Sequence, residues 1–211
     1  ICGAGYEESQ NFMAEEIIKH TFYHWGPLLY STMITQERLD ELLKLCEKAS
    51  IKKNKDLAGH ITKELKLPHD KVFKILKPYF KSYAKVTLFY YGYDLPHVTL
   101  TSSWVNYMKK GEFNPPHIHS GLLSFVLYGA IPEKLRTENK KHIGTSMGPG
   151  GIEFVHSYGA KKLNICTRCF FPEEKQLFIF PAHLHHWVYP FNADVNRLSI
   201  SGNLEKVEPD A

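Results

Sequence analysis

The spacing of apolar residues changes near residue 95. Before it, apolar positions recur at helical intervals. In Glu37 to Ala49, residues Leu39, Leu42, Leu43 and Cys46 fall on one helical face, and Thr35 is placed to cap that helix. A lysine-rich break at Ile51 to Lys55 follows, then a short helix is expected over Ala58–Leu65. A third helix is predicted from His69 or Asp70, carrying Val72, Phe73, Ile75, Leu76, Tyr79, Phe80 and Tyr83 on its apolar side. Pro78 inside that pattern predicts a kink or a break. From Val98 onward the segments are short, β-branched and aromatic, and are punctuated by Gly, Pro and Asn. Strands are predicted at Val98–Met108, Leu122–Ile131, Ile152–His156, Leu163–Phe171, Leu177–Phe180, His186–Phe191 and Arg197–Asn203. Seven or eight strands in roughly 105 residues predict a double-sheet jelly roll or a barrel. Glu133–Gly151 is polar and glycine-rich, and reads as a long functional or mobile loop.

Composition narrows the classes. The chain has 211 residues, 43% hydrophobic and 23% charged, which excludes disordered, collagen-like and low-complexity proteins. No apolar run approaches eighteen residues, so no membrane-spanning helix is expected. Ile1 in place of an initiating Met is what a fragment or a processed form would show, and residues 1–10 lack a basic-then-apolar leader pattern. Lys and Arg number 26 against 22 Asp and Glu, a net charge of +4, compatible with an anionic small ligand without calling for nucleic acid. Cys2, Cys46, Cys166 and Cys169 are too few for a disulfide framework and predict a reducing, cytoplasmic setting. Cys166-x-x-Cys169 has no second pair for zinc, and its residues are expected to be buried free thiols.

The twelve histidines are the compositional oddity. His117-x-His119 precedes a predicted strand, and residues two apart on a strand point the same way, so both rings could face one metal. His183, His185 and His186 form a second group, in which adjacent residues point oppositely and either His185 or His186 could complete a site. Imidazole suits iron, zinc, copper and nickel. Arg197, eleven residues after His186, offers a planar fork of donors for a carboxylate, and Ser199 shares its strand face. A basic clamp near a metal points to an acidic cosubstrate. His20, His24, His60, His69, His97, His142 and His156 read as ordinary solvated residues.

These residues carry a resemblance. Trp104-Val105-Asn106, Gly111, His117-Ile118-His119, Ser124 and Tyr128 are followed by Phe180-Pro181, Leu184, His186, Val188 and Pro190, and then by Arg197-x-Ser199-x-Ser201-x-Asn203. The pattern resembles the 2-oxoglutarate/Fe(II)-dependent oxygenases, in particular members with a Phe-Pro-x-x-Leu-x-His-x-Val-x-Pro segment, many of them phage-encoded. The resemblance implies an α+β fold: a double-stranded β-helix (jelly-roll, cupin-like) core over 95–211, with a helical region over 1–94 packed on it as part of the same domain. It implies Fe(II) held by His117, His119 and His186, and 2-oxoglutarate held by Arg197 with Ser199, Asn106 and Tyr128. It implies a hydroxylase that couples oxidative decarboxylation of 2-oxoglutarate, with O2, to oxidation of a protein side chain such as proline or of a small metabolite. The host cytoplasm would be its location if it is phage-encoded.

The departure is His119, where most of the superfamily has Asp or Glu. A neutral ligand leaves Fe(II) its full double charge, which the 2-oxoglutarate dianion then neutralises. Glu112 is the nearest carboxylate in sequence and is badly spaced to substitute. Two alternatives follow: a three-His cupin-like metalloenzyme that does not use 2-oxoglutarate, and a non-catalytic jelly-roll binding protein. Arg197 and Ser199 argue against the first, since they would hold nothing. Selectivity is expected in Glu133–Gly151, around Tyr128 and in the aromatic run Phe89–Tyr93.

Overall fold

A computed structural model describes residues 18–24, 26–53, 58–156 and 166–207. The elements in chain order are β1 (His20–His24), β2 (Leu28–Met33), α1 (Gln36–Glu47), β3 (Glu64–Lys66), α2 (His69–Tyr91), β4 (Val98–Met108), β5 (Asn114–His117), β6 (Leu123–Ala130), α3 (Glu133–Lys140), β7 (Ile152–Val155), β8 (Thr167–Phe170), β9 (Gln176–Pro181), β10 (His185–Val188) and β11 (Arg197–Lys206). All pairings are antiparallel. They build a seven-stranded sheet in the order β1-β2-β9-β6-β11-β4-β3 and a four-stranded sheet in the order β5-β10-β7-β8.

Two cores lie on either face of the large sheet. On one face, Val105, Leu127, Leu177 and Ile200 meet Leu39, Leu42, Leu76, Tyr79, Phe80 and Tyr83 of α1 and α2. On the other, Met108, Val126, Tyr128, Phe178 and Phe180 meet Ile152, Phe154 and Val188 of the small sheet. The period of two along β4, β6 and β11 sorts the residues between these cores. The polar set Asn106, Ser199 and Arg197 falls on the inter-sheet side with Met108 and Tyr128.

The sheet-rich α+β architecture matches the jelly-roll expectation, and α1 forms where predicted, with Thr35 Oγ1 accepting from Arg38 N. Several boundaries differ. Among the described residues, the N-terminal region contains three strands as well as helices. β2 is buried on both faces, so its run Leu28-Leu29-Tyr30 shows no alternation to read. Ala58–Leu65 is not a helix: Glu64–Lys66 pairs with Trp104–Asn106, and tertiary pairing overrides local propensity. α2 runs unbroken through Pro78. Its buried stripe holds both flanks on the sheet, and the Arg38 guanidinium donates to the Ile75 carbonyl at 2.7 Å beside the proline. Gly92 ends α2 in the left-handed region at φ 62°, donating to Leu88 O. The supposed loop Glu133–Gly151 begins with α3, pinned by buried Leu135 and by the Glu138 carboxylate, which accepts from Asn192 N and Ala193 N. The last predicted strands also shift: β8 spans Thr167–Phe170, Leu163 lying outside the described residues, and β10 covers His185–Val188. No helix among the described residues is long and apolar enough to cross a membrane.

Candidate metal and cosubstrate site

β5 is the edge of the small sheet, and its Pro115-Pro116 pair is tolerated there because an edge strand has no partner on one side. His117 is its last residue and pairs directly with His186 of β10. His119 lies beyond the strand, contrary to the expected two-apart strand geometry. It is held instead by its own N–H, which donates to Ala182 O at 2.8 Å. The result is the same: one ligand nitrogen from each of His117, His119 and His186 lies within 4.8 Å of the others.

The rings are also oriented. Nδ1 of His117 bonds to Pro115 O at 2.7 Å and Nδ1 of His186 to Leu184 O at 2.8 Å. A backbone carbonyl on Nδ1 fixes that proton and leaves the Nε2 lone pair for a ligand. Nε2 of His119 stands 3.2 Å from Nε2 of His186. Phe154 and Phe180 wall His186, and Trp104 of the large sheet lies 5.8 Å from the His119 ring, centroid to centroid. Burial drives all three imidazoles toward the neutral form, His119 to about 3, with the neighbouring histidine His117 adding to that shift. Three neutral, convergent imidazoles fit a transition metal such as iron. His185 is exposed and sits in the neighbouring register position, so His186 supplies the third nitrogen. Glu112 is not in the cluster; Thr62 N, Thr62 Oγ1 and Lys109 N donate to its carboxylate.

Across the inter-sheet space, Ser199 pairs with Asn106 on one side and with Tyr128 on the other. Asn106 Nδ2 donates to Ser199 Oγ at 3.5 Å, and the Arg197 guanidinium lies 5.3 Å from the Tyr128 ring centroid. Arg197 is 1% exposed; Nη1 donates to Gly150 O at 2.9 Å while Nε has no partner. Tyr128 OH and Asn106 Oδ1 are likewise buried without partners. Burial raises the Tyr128 phenol to about 12, so it remains a donor. Buried unpartnered donors beside a buried cation fit a carboxylate ligand, since such groups are costly to leave unsatisfied.

Four features of this region were not among the predicted site residues. Gly150, at φ 75°, presents the carbonyl that anchors Arg197, and Phe154 forms part of the wall at His186. Glu64 is buried opposite Asn106, and Lys53 Nζ lies 5.7 Å from the Trp104 ring centroid. The Met147–Gly151 glycines gave a turn signal, whereas Glu64 lies in a segment read as helical and gave none. The aromatic run Phe89–Tyr93 ends α2 with Phe89, Tyr90, Tyr91 and Tyr93 exposed. Cys46 is a buried thiol and Cys166 and Cys169 are half-buried thiols, none of them in a disulfide among the described residues.

Comparison with known proteins identifies the family. Residues 102–203 match the family model described as "Putative 2OG-Fe(II) oxygenase", a span that includes all three histidines, Asn106, Tyr128, Arg197 and Ser199. No curated protein sequence matches the chain. Among solved structures, a prolyl-4-hydroxylase from Pseudomonas putida aligns with TM-score 0.54 at 13% identity, covering 85% of this chain and 93% of that one. HygX from Streptomyces hygroscopicus, solved with nickel, 2-oxoglutarate and hygromycin B, aligns with TM-score 0.53 at 10% identity over 86% of this chain and 83% of its own. A viral collagen prolyl hydroxylase from Paramecium Bursaria Chlorella virus-1 aligns with TM-score 0.52 at 11% identity over 85% and 96%. At such identities the structural likeness is one of fold, and the family match carries the assignment: residues 102–203 belong to the 2-oxoglutarate/Fe(II) oxygenase family, and the chain is an enzyme of that class, which uses Fe(II) and 2-oxoglutarate.

Proposed function

We propose that this enzyme is a hydroxylase in which His117, His119 and His186 hold Fe(II), and Arg197, assisted by Tyr128 and Ser199, holds the distal carboxylate of 2-oxoglutarate. The carrying observation is the juxtaposition of three convergent neutral imidazoles with a buried guanidinium whose Nε is unpartnered. When bound, the metal and cosubstrate supply the oxidising power for substrate oxidation with O2, yielding succinate and CO2. The chain's own residues bind and orient. The Pro115 and Leu184 carbonyls set the tautomers of His117 and His186. Gly150 O fixes the Arg197 fork, and Tyr128 OH donates toward the carboxylate. Phe154, Phe180 and Trp104 exclude water around the histidines. Asn106 faces the same space from β4.

The substrate belongs to the classes the resemblance implies, a protein side chain such as proline or a small metabolite. The neighbours named as prolyl hydroxylases and the hygromycin-bound HygX support one class each. A cytoplasmic setting accords with thiols held outside any disulfide, and a viral origin accords with the viral neighbour.

The test is anaerobic titration with Fe(II) and 2-oxoglutarate, watching the visible charge-transfer band of the chelate. The band is expected in the native protein and lost in Arg197→Ala, which should still bind metal. Retention of the band at native 2-oxoglutarate affinity in Arg197→Ala would refute the role given to Arg197.

A further inference from the structure

Two carboxyl groups, Glu64 and Glu112, are buried near the β3–β4 edge, at 1% and 6% exposure. They differ in kind. Both oxygens of Glu112 accept hydrogen bonds from backbone or hydroxyl donors, so its role is structural. Glu64 Oε2 has no partner. Glu64 is the cross-strand partner of Asn106, which is in turn the partner of Ser199, so the three side chains share the inter-sheet face of the large sheet. Asn106 Oδ1 on that face also lacks a donor. Farther along the row, Arg197 Nε and Tyr128 OH supply donors for an anion. The β3–β4 end therefore offers acceptors and a carboxylate, the opposite chemistry.

We propose that Glu64 and Asn106 form a substrate subsite that receives a cationic nitrogen group with at least two N–H donors, an ammonium or a guanidinium. The proposal rests on the assignment of Arg197 and the three histidines to cosubstrate and metal, which places the anionic ligand at the other end of the row. Such a group can donate to Glu64 Oε2 and Asn106 Oδ1 together and compensate the buried charge. Hydrogen bonds between ionised partners are the strong ones. Lys53, over the Trp104 ring, is a cation whose field reaches Glu64, and Glu112 opposes it with a like charge. Burial raises the Glu64 carboxyl to about 7, so the ionised form that binds the cation is available at mildly alkaline pH.

The probes are Nα-acetyl-lysine methylamide, Nα-acetyl-arginine methylamide and the neutral Nα-acetyl-norleucine methylamide. Each is titrated calorimetrically at about pH 8 into the metal-free protein and into protein loaded anaerobically with Fe(II) and 2-oxoglutarate. At least one cationic probe is expected to bind roughly tenfold to a hundredfold tighter than the neutral one. Glu64→Gln should abolish that preference without moving the neutral probe or the charge-transfer band. Lys53→Met should widen it, which keeps the proposal testable if Glu64→Gln fails to fold. Equal binding of the three probes by the native protein overturns the proposal. So does an unaltered preference in Glu64→Gln or, where that variant does not fold, in Lys53→Met. Equal binding of the probes by the native protein, with the band intact, removes the subsite alone. Absence of the band in the native protein removes the reading on which the subsite rests, and with it the assignment as a substrate site.

Discussion

A carboxyl forced to stay protonated is a stability liability that can be measured. The Glu64 carboxyl lies near 7 in the folded chain, against a reference value of 4.5, with burial the largest cause, Glu112 adding to it and Lys53 opposing. A raised acid has a definite sign. Below about pH 4.5 both folded and unfolded chains hold the proton, and Glu64 adds no penalty. As pH rises from there to about 7 the unfolded chain releases the proton while the folded chain keeps it, and stability falls. The shift from 4.5 to about 7, at about 1.4 kcal/mol per unit, corresponds to about 3–4 kcal/mol, complete above pH 7. Glu64→Gln removes this dependence. Its advantage over the native chain should therefore be small near pH 4.5 and approach about 3–4 kcal/mol at pH 8, or roughly 6–16 °C in Tm for a domain of this size. Denaturant unfolding of both proteins at several pH values reads the difference, and titrations shared by the two cancel. A pH-independent difference would refute the account of Glu64 as a buried, unpartnered carboxyl. Retention of such a group against its cost to stability accords with a functional use.

Other expectations are as direct. Arg197→Ala should weaken 2-oxoglutarate binding by about a hundredfold or more, since it strips a buried carboxylate of its charged partner; native affinity by calorimetry would count against the clamp. His119→Ala should lower Fe(II) affinity by at least tenfold, a loss comparable to or greater than that for removing a group that merely orients a ligand; metal competition with a chelator measures it. Gly150→Ala places a Cβ 3.0 Å from Leu135 carbons at φ 75°, and should cost about 1–2 kcal/mol of stability. It should also weaken 2-oxoglutarate binding through the displaced Arg197 anchor, read from the band titration. Leu76→Ala, in the helix–sheet core, should cost about 2–5 kcal/mol by denaturant unfolding, with Fe(II) affinity unchanged.

Most of the candidate site was legible in the sequence because it depends on residue type and register. The change of period near residue 95 exposes the sheet-forming half, and a spacing of two on β11 puts Arg197 and Ser199 on one face whatever the tertiary detail. The three histidines and Arg197 stood out as residues rarely grouped without a ligand. Other features depended on pairing between distant segments. β2, buried on both faces, carries no alternation, and β3 is a strand because β4 offers it an edge. Ala182 O, sixty-three residues away, positions His119 where strand geometry does not. Pro78 sits inside a continuous helix because the buried stripe of α2 holds both flanks on the sheet. Glu64 lies in a segment whose pattern reads as helical, and only the pairing of β3 with β4 turns it toward Asn106. Local pattern determines which face a residue occupies, whereas burial and hydrogen-bond satisfaction belong to the assembled fold, where residues far apart in the chain supply or withhold partners.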